Sequence, residues 1–142
     1  MPFLYPASNI LLDGDMNARL CDIGFSATLE THRFANKGCT TILGSCFWAS
    51  PEVAKGEQSN AKVDIWSLGC TIIQLLTAHR PWYPHPPYTA LLRIGCNLSP
   101  LSDAHEQFSI SDVMKEFLYP IFHVDASKRP SAQDLLLHSV FS

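Results

Sequence analysis

One stretch of the chain, residues 62–78, constrains the fold more than any other. Its sequence is KVDIWSLGCTIIQLLTA, and after Lys62 its only strongly polar side chains are Asp64 and Gln74. Apolar residues recur at helical spacing and also fill the other faces, which predicts a helix buried on all sides. The stretch is too short, and too marked by Asp64, for a membrane span. We therefore expect a central core helix around which the other elements pack.

Composition places the chain among globular proteins of one domain. With 142 residues, 46% hydrophobic and 16% charged, it can bury a sizeable core. The formal net charge is −3 and the basic residues are scattered, so neither nucleic acid nor a membrane surface is an expected partner. The five cysteines form no CxxC pair and fit no zinc template. No signal peptide is recognisable, and we expect reduced thiols in a cytoplasmic protein.

The first half of the chain predicts a hairpin, a long loop and a short helix. Two short apolar runs, at residues 9–12 and 19–21, flank a Gly/Asp turn and predict a β-hairpin. Residues 22–52 show little periodicity and predict a long ordered loop, which in a compact domain is usually functional. A short helix is predicted at 50–54, with Pro51 in its first turn.

The second half predicts three further helices. Residues 88–94 have a helical pattern, whereas residues 97–108 are predicted to be irregular. An S-x-x-D capping signal that begins at Ser109 predicts a helix over roughly 112–122, in which Pro120 should kink or shorten the last turn. A second such signal, from Ser131 to Asp134, predicts a last helix that ends near residue 138. The architecture is therefore predicted to be mainly helical, with a small hairpin at the front.

Five short motifs follow one another along the chain. They are Asn9-Ile10-Leu11-Leu12-Asp13, Asp22-Ile23-Gly24, Gly44-Ser45-Cys46-Phe47-Trp48-Ala49-Ser50-Pro51-Glu52, Asp64-Ile65-Trp66-Ser67-Leu68-Gly69-Cys70, and Asp125 to Arg129-Pro130. In this order they resemble the large (C-terminal) lobe of a serine/threonine protein kinase of the MAP kinase kinase kinase (STE-type) family. The resemblance covers residues 9–142 and implies a mainly α large lobe with the small lobe absent. Residues 1–8 fall outside it, and we interpret them as an unrelated or truncated segment.

The resemblance implies a site for phosphoryl transfer from ATP. Such transfer depends on positioning and on Mg²⁺, which prefers hard oxygen ligands. The family's ligand positions fall on Asn9 and Asp22, so Mg²⁺ and ATP are the implied cofactors. On the residues alone, Asn9 would cap a turn and Asp22 would end a strand. Ile23 replaces the family's usual Phe and can fill part of the same hydrophobic space.

Residues 22–52 correspond to the family's activation segment. Thr40 and Thr41 are candidate phosphorylation sites, and the alternative is that both are solvated loop threonines. The family's usual partner for such a phosphate is the catalytic-loop Arg, which this chain lacks. Ser45 matches the hydroxyl residue that helps to form the floor for the substrate's acceptor residue.

Three charged residues are better explained by structure than by chemistry. Glu52 and Arg129 lie among apolar residues, and the resemblance implies that they form a buried salt bridge. Asp64 matches a residue that hydrogen-bonds the catalytic-loop backbone. Asp64 can also complement the dipole at the start of its helix, and both roles can hold together.

The family's catalytic loop, His-Arg-Asp-Leu-Lys-x-x-Asn, is not matched upstream of Asn9. Its Asp falls on Leu4 and its Lys on Pro6, and neither side chain can take over the role. The Gly-rich loop, the strand lysine and the partnering Glu helix also have no counterpart. We therefore expect no useful kinase activity from this chain alone. The change before Ala7 is interpreted as a junction at a splice or gene-model boundary.

Functions from different classes stay open. The chain can be the large lobe of a MAP kinase kinase kinase-like enzyme, whose protein substrates would resemble MAP kinase kinases. It can instead be a catalytically dead binding or scaffold module that uses its helical surface, including the helix at 88–94. A degraded pseudogene product is a third, weaker interpretation.

Overall fold

In a computed structural model of the protein, the described residues are 6–21, 46–58 and 60–141. The strands are β1 (Ile10–Leu12) and β2 (Ala18–Leu20), and the helices are α1 (Pro51–Ala54), α2 (Lys62–Thr77), α3 (Pro87–Gly95), α4 (Pro100–Gln107), α5 (Asp112–Ile121) and α6 (Ala132–Leu136). Single 3₁₀ turns lie at Ala7–Asn9, Cys46–Trp48, Ala126–Lys128 and Ser139–Phe141. The strands pair antiparallel, with Ile10 opposite Leu20. The predicted mainly helical fold with an N-terminal hairpin is confirmed. Within the described ranges, no helix is both long and apolar enough to cross a membrane.

α2 is the predicted central helix, and its buried side packs closely against α5. Trp66 and Cys70 are fully buried, and the Trp66 ring meets the Phe122 ring edge-on at a centroid distance of 5.1 Å. At Gly69, an added Cβ would lie 2.5 Å from Ile121 Cγ2 and 2.8 Å from Phe122 Cζ. Such distances leave no room for a side chain. The glycine therefore permits the close approach of the two helices.

The prediction that this helix is buried on all sides is wrong. Leu68, Leu75 and Leu76 of α2 are 37%, 64% and 47% exposed. Together with the partly buried Ile72, they form a stripe at positions i, i+4, i+7 and i+8 of one helix face. An apolar pattern shows what a helix can bury, but its neighbours decide what it does bury, and apolar residues often remain at a surface. Among the described residues, none covers this stripe fully.

The prediction that residues 97–108 are irregular is also wrong, because α4 lies there. Ser99 caps this helix by accepting a hydrogen bond from the backbone N–H of Leu101 at 3.2 Å, and a proline occupies the first helical position. Leu101 and Ala104 are buried in the core. Asp103 is also buried and pairs with Arg93 of α3. A helix of eight residues with so few buried apolar positions gives too little periodicity to be recognised from sequence.

The two predicted capping signals have different outcomes. The cap of α5 is Ser111 and not Ser109, since the Ser111 hydroxyl accepts from the backbone N–H three residues later at 3.4 Å. Pro120 lies in the last turn of α5, which ends one residue after it. At α6 the predicted capping box is present, because Ser131 and Asp134 each accept from the other's backbone N–H, at 3.1 and 2.8 Å. Hydrogen bonds from Ser131 hold the pKa of Asp134 below its usual value.

Candidate active site

Asn9 ends the 3₁₀ turn that leads into β1. Its backbone N–H donates to the carbonyl of Pro6 at 2.9 Å, and its own carbonyl accepts from the N–H of Cys21 at 2.9 Å. The second bond closes the base of the hairpin, so Asn9 lies beside Cys21, the residue that directly follows β2. Asp22 follows Cys21 in the sequence but lies outside the described residues. The approach of Asn9 and Asp22 to a common site therefore stays a prediction.

The tip of the hairpin is held by Asp13. Its carboxylate accepts hydrogen bonds from the backbone N–H groups of Asp15 (3.1 Å) and Asn17 (2.9 Å) and from Arg19 Nε (3.0 Å). The backbone N–H of Asn17, together with Arg19, lowers the pKa of Asp13. Because the turn is exposed, these hydrogen bonds define its conformation but add little to the stability of the protein.

The described residues do not by themselves make a metal site. Among them, no group of three or more His, Cys, Asp or Glu side chains could hold a metal ion. Of the two predicted magnesium ligands, only Asn9 is described. Leu4, at the family's catalytic Asp position, also lies outside the described residues, whereas Pro6 lies half-buried just before the turn that carries Asn9. The assignment of Mg²⁺ and ATP to this site stays a prediction.

Only the last part of the predicted activation segment is described. Thr40, Thr41 and Ser45 lie outside the described residues, and so does Ile23. From residue 46 to residue 53 every side chain is buried, which packs the end of the segment into the core. Arg80, from the loop after α2, lies 4.1 Å from the centroid of the Phe47 ring and adds a cation–π contact.

Glu52 and Arg129 form a buried, two-pronged ion pair. Arg129 Nη1 lies 2.7 Å from Glu52 Oε1, and Nη2 lies 2.8 Å from Oε2. The remaining N–H groups of Arg129 donate to the backbone carbonyls of His123 (2.8 Å), Lys62 (3.0 Å) and Val124 (3.3 Å). Arg129 is 2% exposed and Glu52 is 8% exposed. The pair therefore ties α1 and the start of α2 to the loop that follows α5.

The electrostatics of this pair follow from two opposing effects. Burial raises the pKa of Glu52, but hydrogen bonds and charge from Arg129 outweigh it, so the net pKa lies below its usual value. Glu52 is accordingly a carboxylate at neutral pH. A carboxylate with both oxygens bound to a guanidinium stabilises the fold and is not placed to accept a proton from a substrate.

Sequence reasoning missed one contact between α2 and the Asn9 turn. Gln74 Oε1 accepts a hydrogen bond from the backbone N–H of Ala7 at 2.9 Å. The signal was present, since Gln74 is one of two strongly polar side chains in an otherwise apolar stretch. The other, Asp64, lies half-buried in the first turn of α2.

Two of the cysteines that the structure describes lie inside the core, where their thiols are not reactive. Cys46 and Cys70 are buried, whereas Cys21 is half-buried and Cys96 is exposed. Burial raises the pKa of both buried thiols, most strongly that of Cys70. Because the thiolate is the nucleophile, these two cysteines stay inert at neutral pH.

Comparison with known proteins matches the protein kinase domain family over residues 7–141. Mitogen-activated protein kinase kinase kinase 3 of Mus musculus and of Homo sapiens are each 39% identical over 132 residues, which covers 92% of this chain and 20% of the relative. Serine/threonine-protein kinase ste20 of Aspergillus fumigatus is 38% identical over 137 residues, which covers 96% of this chain and 16% of the relative. The chain thus spans about a fifth or less of the length of these curated relatives. Since the matched region runs from the Asn9 turn to the last 3₁₀ turn and includes the Glu52–Arg129 pair, the chain belongs to the protein kinase family.

Proposed function

We propose that residues 9–142 are the large-lobe part of a serine/threonine protein kinase domain of the MAP kinase kinase kinase type. The complete domain transfers a phosphoryl group from ATP to a Ser or Thr hydroxyl of a protein substrate in signal transduction. The observation that carries this proposal is the Glu52–Arg129 pair, which anchors the end of the activation segment to a position 77 residues away. A protein with this role works in the cytoplasm, which the free thiols of Cys21, Cys70 and Cys96 favour.

In the proposed site, each residue has a specific role. Asn9 and Asp22 supply oxygen ligands to Mg²⁺, which when bound neutralises charge on the phosphates of ATP. Phosphorylation of Thr40 or Thr41 regulates the segment, and Ser45 forms the floor for the acceptor residue. These roles are supported by the resemblance of the motifs and by the placement of Asn9 beside the end of β2.

We further propose that this chain by itself is not a useful catalyst. The position of the family's catalytic Asp is Leu4, which cannot accept a proton, and that of the Lys is Pro6, which cannot hold a phosphate. Loss of general-base assistance alone lowers a rate by about 10²–10⁴. The parts of the family that cover ATP have no counterpart in the sequence.

The experiment is a titration of the 142-residue chain with Mg²⁺ and ATP, followed by thermal unfolding, beside a phosphoryl-transfer assay on a MAP kinase kinase. We expect no saturable stabilisation and no transfer. Asn9→Ala is the control, because it removes a proposed ligand. A saturable shift in the wild type that Asn9→Ala abolishes would refute the claim that the chain lacks a working nucleotide site.

Transcript structure tests whether residues 1–8 are joined to the kinase-like region at a splice or gene-model boundary. An upstream exon that encodes His-Arg-Asp-Leu-Lys in frame with Ala7 supports the interpretation that residues 1–8 are a junction segment. Continuous transcripts that start at Met1, with no kinase exon upstream, count against it.

A second candidate function is a binding module without turnover. The observation that favours it is the exposure of Tyr88 (71%) and Leu92 (51%), one turn apart on α3. Calorimetric titration with a MAP kinase kinase tests this function, with Tyr88→Ala as the variant. Tyr119→Ala is the matched control, since Tyr119 is 68% exposed on α5. Binding that Tyr88→Ala weakens and Tyr119→Ala spares supports the module, and no binding at all removes this candidate.

A further inference from the structure

The hairpin that carries Asn9 is a unit with its own internal order. The bond between the Asn9 carbonyl and the Cys21 N–H closes its base, and Asp13 holds its tip. Its apolar side chains are not in the core, since Leu11 and Leu20 are both 55% exposed. A two-stranded hairpin with little packing is marginal alone. Its position must therefore depend on how its base is attached.

The base is attached to the helical body through the turn Ala7–Asn9, which contacts α2. The first N–H groups of such a turn have no partner within the turn. Pro6, which precedes it, supplies no side-chain cap. The N–H of Ala7 is instead bound by Gln74 Oε1 at 2.9 Å, across 67 residues of sequence. A side chain of α2 thus takes the place of a local cap.

We propose that Gln74 is a positioning residue for Asn9. Gln74 holds the N–H of Ala7, the turn places Asn9 two residues later, and the Asn9 carbonyl holds the end of β2. These hydrogen bonds link the position of α2 to the proposed magnesium ligand. The role of Asn9 as a ligand rests on the proposed function, whereas the anchoring by Gln74 does not.

The test compares three variants of the full chain in the absence of metal and nucleotide. Gln74→Ala removes the acceptor, and Gln74→Glu keeps an oxygen acceptor at the same place. Gln107→Ala is the matched control, because Gln107 Nε2 donates to the backbone carbonyl of Tyr83 at 2.8 Å, far along the chain from the hairpin. The measurements are ¹⁵N order parameters and amide hydrogen exchange over residues 7–21, with α2 as the internal reference.

The expected result is specific to one variant. In Gln74→Ala, the order parameters of residues 7–21 fall from about 0.85 towards 0.6, and α2 stays rigid. Exchange of the Ala7 amide becomes roughly fivefold faster, as loss of one neutral hydrogen bond implies. Gln74→Glu and Gln107→Ala leave the hairpin as it is in the wild type. An unchanged hairpin in Gln74→Ala, or equal loss of order in Gln74→Glu, overturns the proposal. A loss of order that extends equally through α2 also overturns it, because Gln74 would then be a general stabilising residue.

A second measurement separates this inference from the proposed function. Mn²⁺ alone is added as a paramagnetic probe, and line broadening at the Asn9 side-chain amide is followed. Any broadening seen in the wild type should be kept in Gln74→Glu and reduced in Gln74→Ala. If the wild type shows no broadening, the ligand role of Asn9 fails, while the order parameters still decide whether Gln74 anchors the turn.

Discussion

Replacement of Arg129 by methionine removes one half of the buried ion pair and keeps much of the side-chain volume. Glu52, which is 8% exposed, then stays in the interior without its cation. Three backbone carbonyls, those of His123, Lys62 and Val124, also lose a donor. The ring of Trp66 loses a guanidinium 5.1 Å from its centroid.

The size of the effect follows from this environment. Removing one partner of a buried ion pair costs about 3–5 kcal/mol, because the remaining charge is left unpaired. The carbonyls that lose a donor add to the upper part of that range. Domains of this kind are stable by about 5–15 kcal/mol in total. At a urea dependence of about 2 kcal/mol per molar, the unfolding midpoint should fall by roughly 2 M.

The assay is urea unfolding followed by tryptophan fluorescence and by circular dichroism. The three tryptophans, Trp48, Trp66 and Trp82, are all buried and report on loss of the core. Lys128→Met is the matched control, because Lys128 is 64% exposed and lies 4.0 Å from Asp125. Such a surface pair contributes about 0–1 kcal/mol. The control should therefore unfold close to the wild type.

A double variant, Glu52→Met with Arg129→Met, tests the physical cause. With neither charge buried, it should be more stable than Arg129→Met alone, since an apolar pair of similar volume is often neutral or better. If Arg129→Met costs less than about 1 kcal/mol, the pair behaves as a surface contact and the argument is refuted. It is also refuted if the double variant is as unstable as the sum of the single variants.

The stability that the Glu52–Arg129 pair contributes should change with pH in a direction that can be measured. In the wild type the pKa of Glu52 is lowered on folding, although burial alone would raise it. The stabilisation is thus fully present above the unfolded value, about 4.3, and is lost as pH falls through the folded pKa. In Arg129→Met the pKa of Glu52 loses the lowering effect of Arg129, and burial, which is the largest influence on this pKa, raises it against the hydrogen bonds from Ser50 and the backbone. Mild acid should therefore reduce the deficit by protonating Glu52. A deficit that grows between pH 7 and pH 5 would contradict this explanation.

Three further variants or reagents test other parts of the fold. Gly69→Ala should lower the free energy of unfolding by about 1–3 kcal/mol, because the new Cβ would lie 2.5 Å from a side chain of α5, whereas Gly14→Ala enters open space and should not. Ser131→Ala should cost about 1 kcal/mol and speed amide exchange in α6, since it removes the cap. A thiol reagent at pH 8 should modify the exposed Cys96 at once and Cys70 only on unfolding, because burial raises the pKa of Cys70. Equal modification rates for Cys96 and Cys70 would contradict the argument from burial. A loss of stability in Gly14→Ala would contradict the argument from close packing, and unchanged amide exchange in α6 of Ser131→Ala would contradict the role of the cap.

Local signals account for the parts of the fold that the sequence predicted well. The capping box at Ser131, the proline at the start of α1 and the Gly/Asp turn of the hairpin all act over a few residues. Their physical effects depend little on the rest of the protein. The same limit explains the error at α5, where Ser109 and Ser111 both offered a capping hydroxyl and backbone geometry selected Ser111.

Long-range contacts account for what the sequence could not predict. Glu52 and Arg129 lie in apolar surroundings, which shows that each needs a partner. No local pattern connects two positions that are 77 residues apart, so only the family resemblance paired them. Gln74 was recognisable as an exception in an apolar helix, yet its partner is a backbone N–H 67 residues away. The helix α4 was missed because its stability comes from tertiary contacts of Leu101 and Asp103.

The rotation of α2 links its buried face to the candidate site. An apolar pattern on every face leaves the rotation of this helix undetermined by its own sequence. The close contact of Gly69 with α5 selects one rotation, because any other would place a larger side chain there. Five residues further on, Gln74 projects about 140° around the axis and about 7.5 Å along it, where it meets Ala7. The packing of a glycine in the core therefore determines where the turn that carries Asn9 is held.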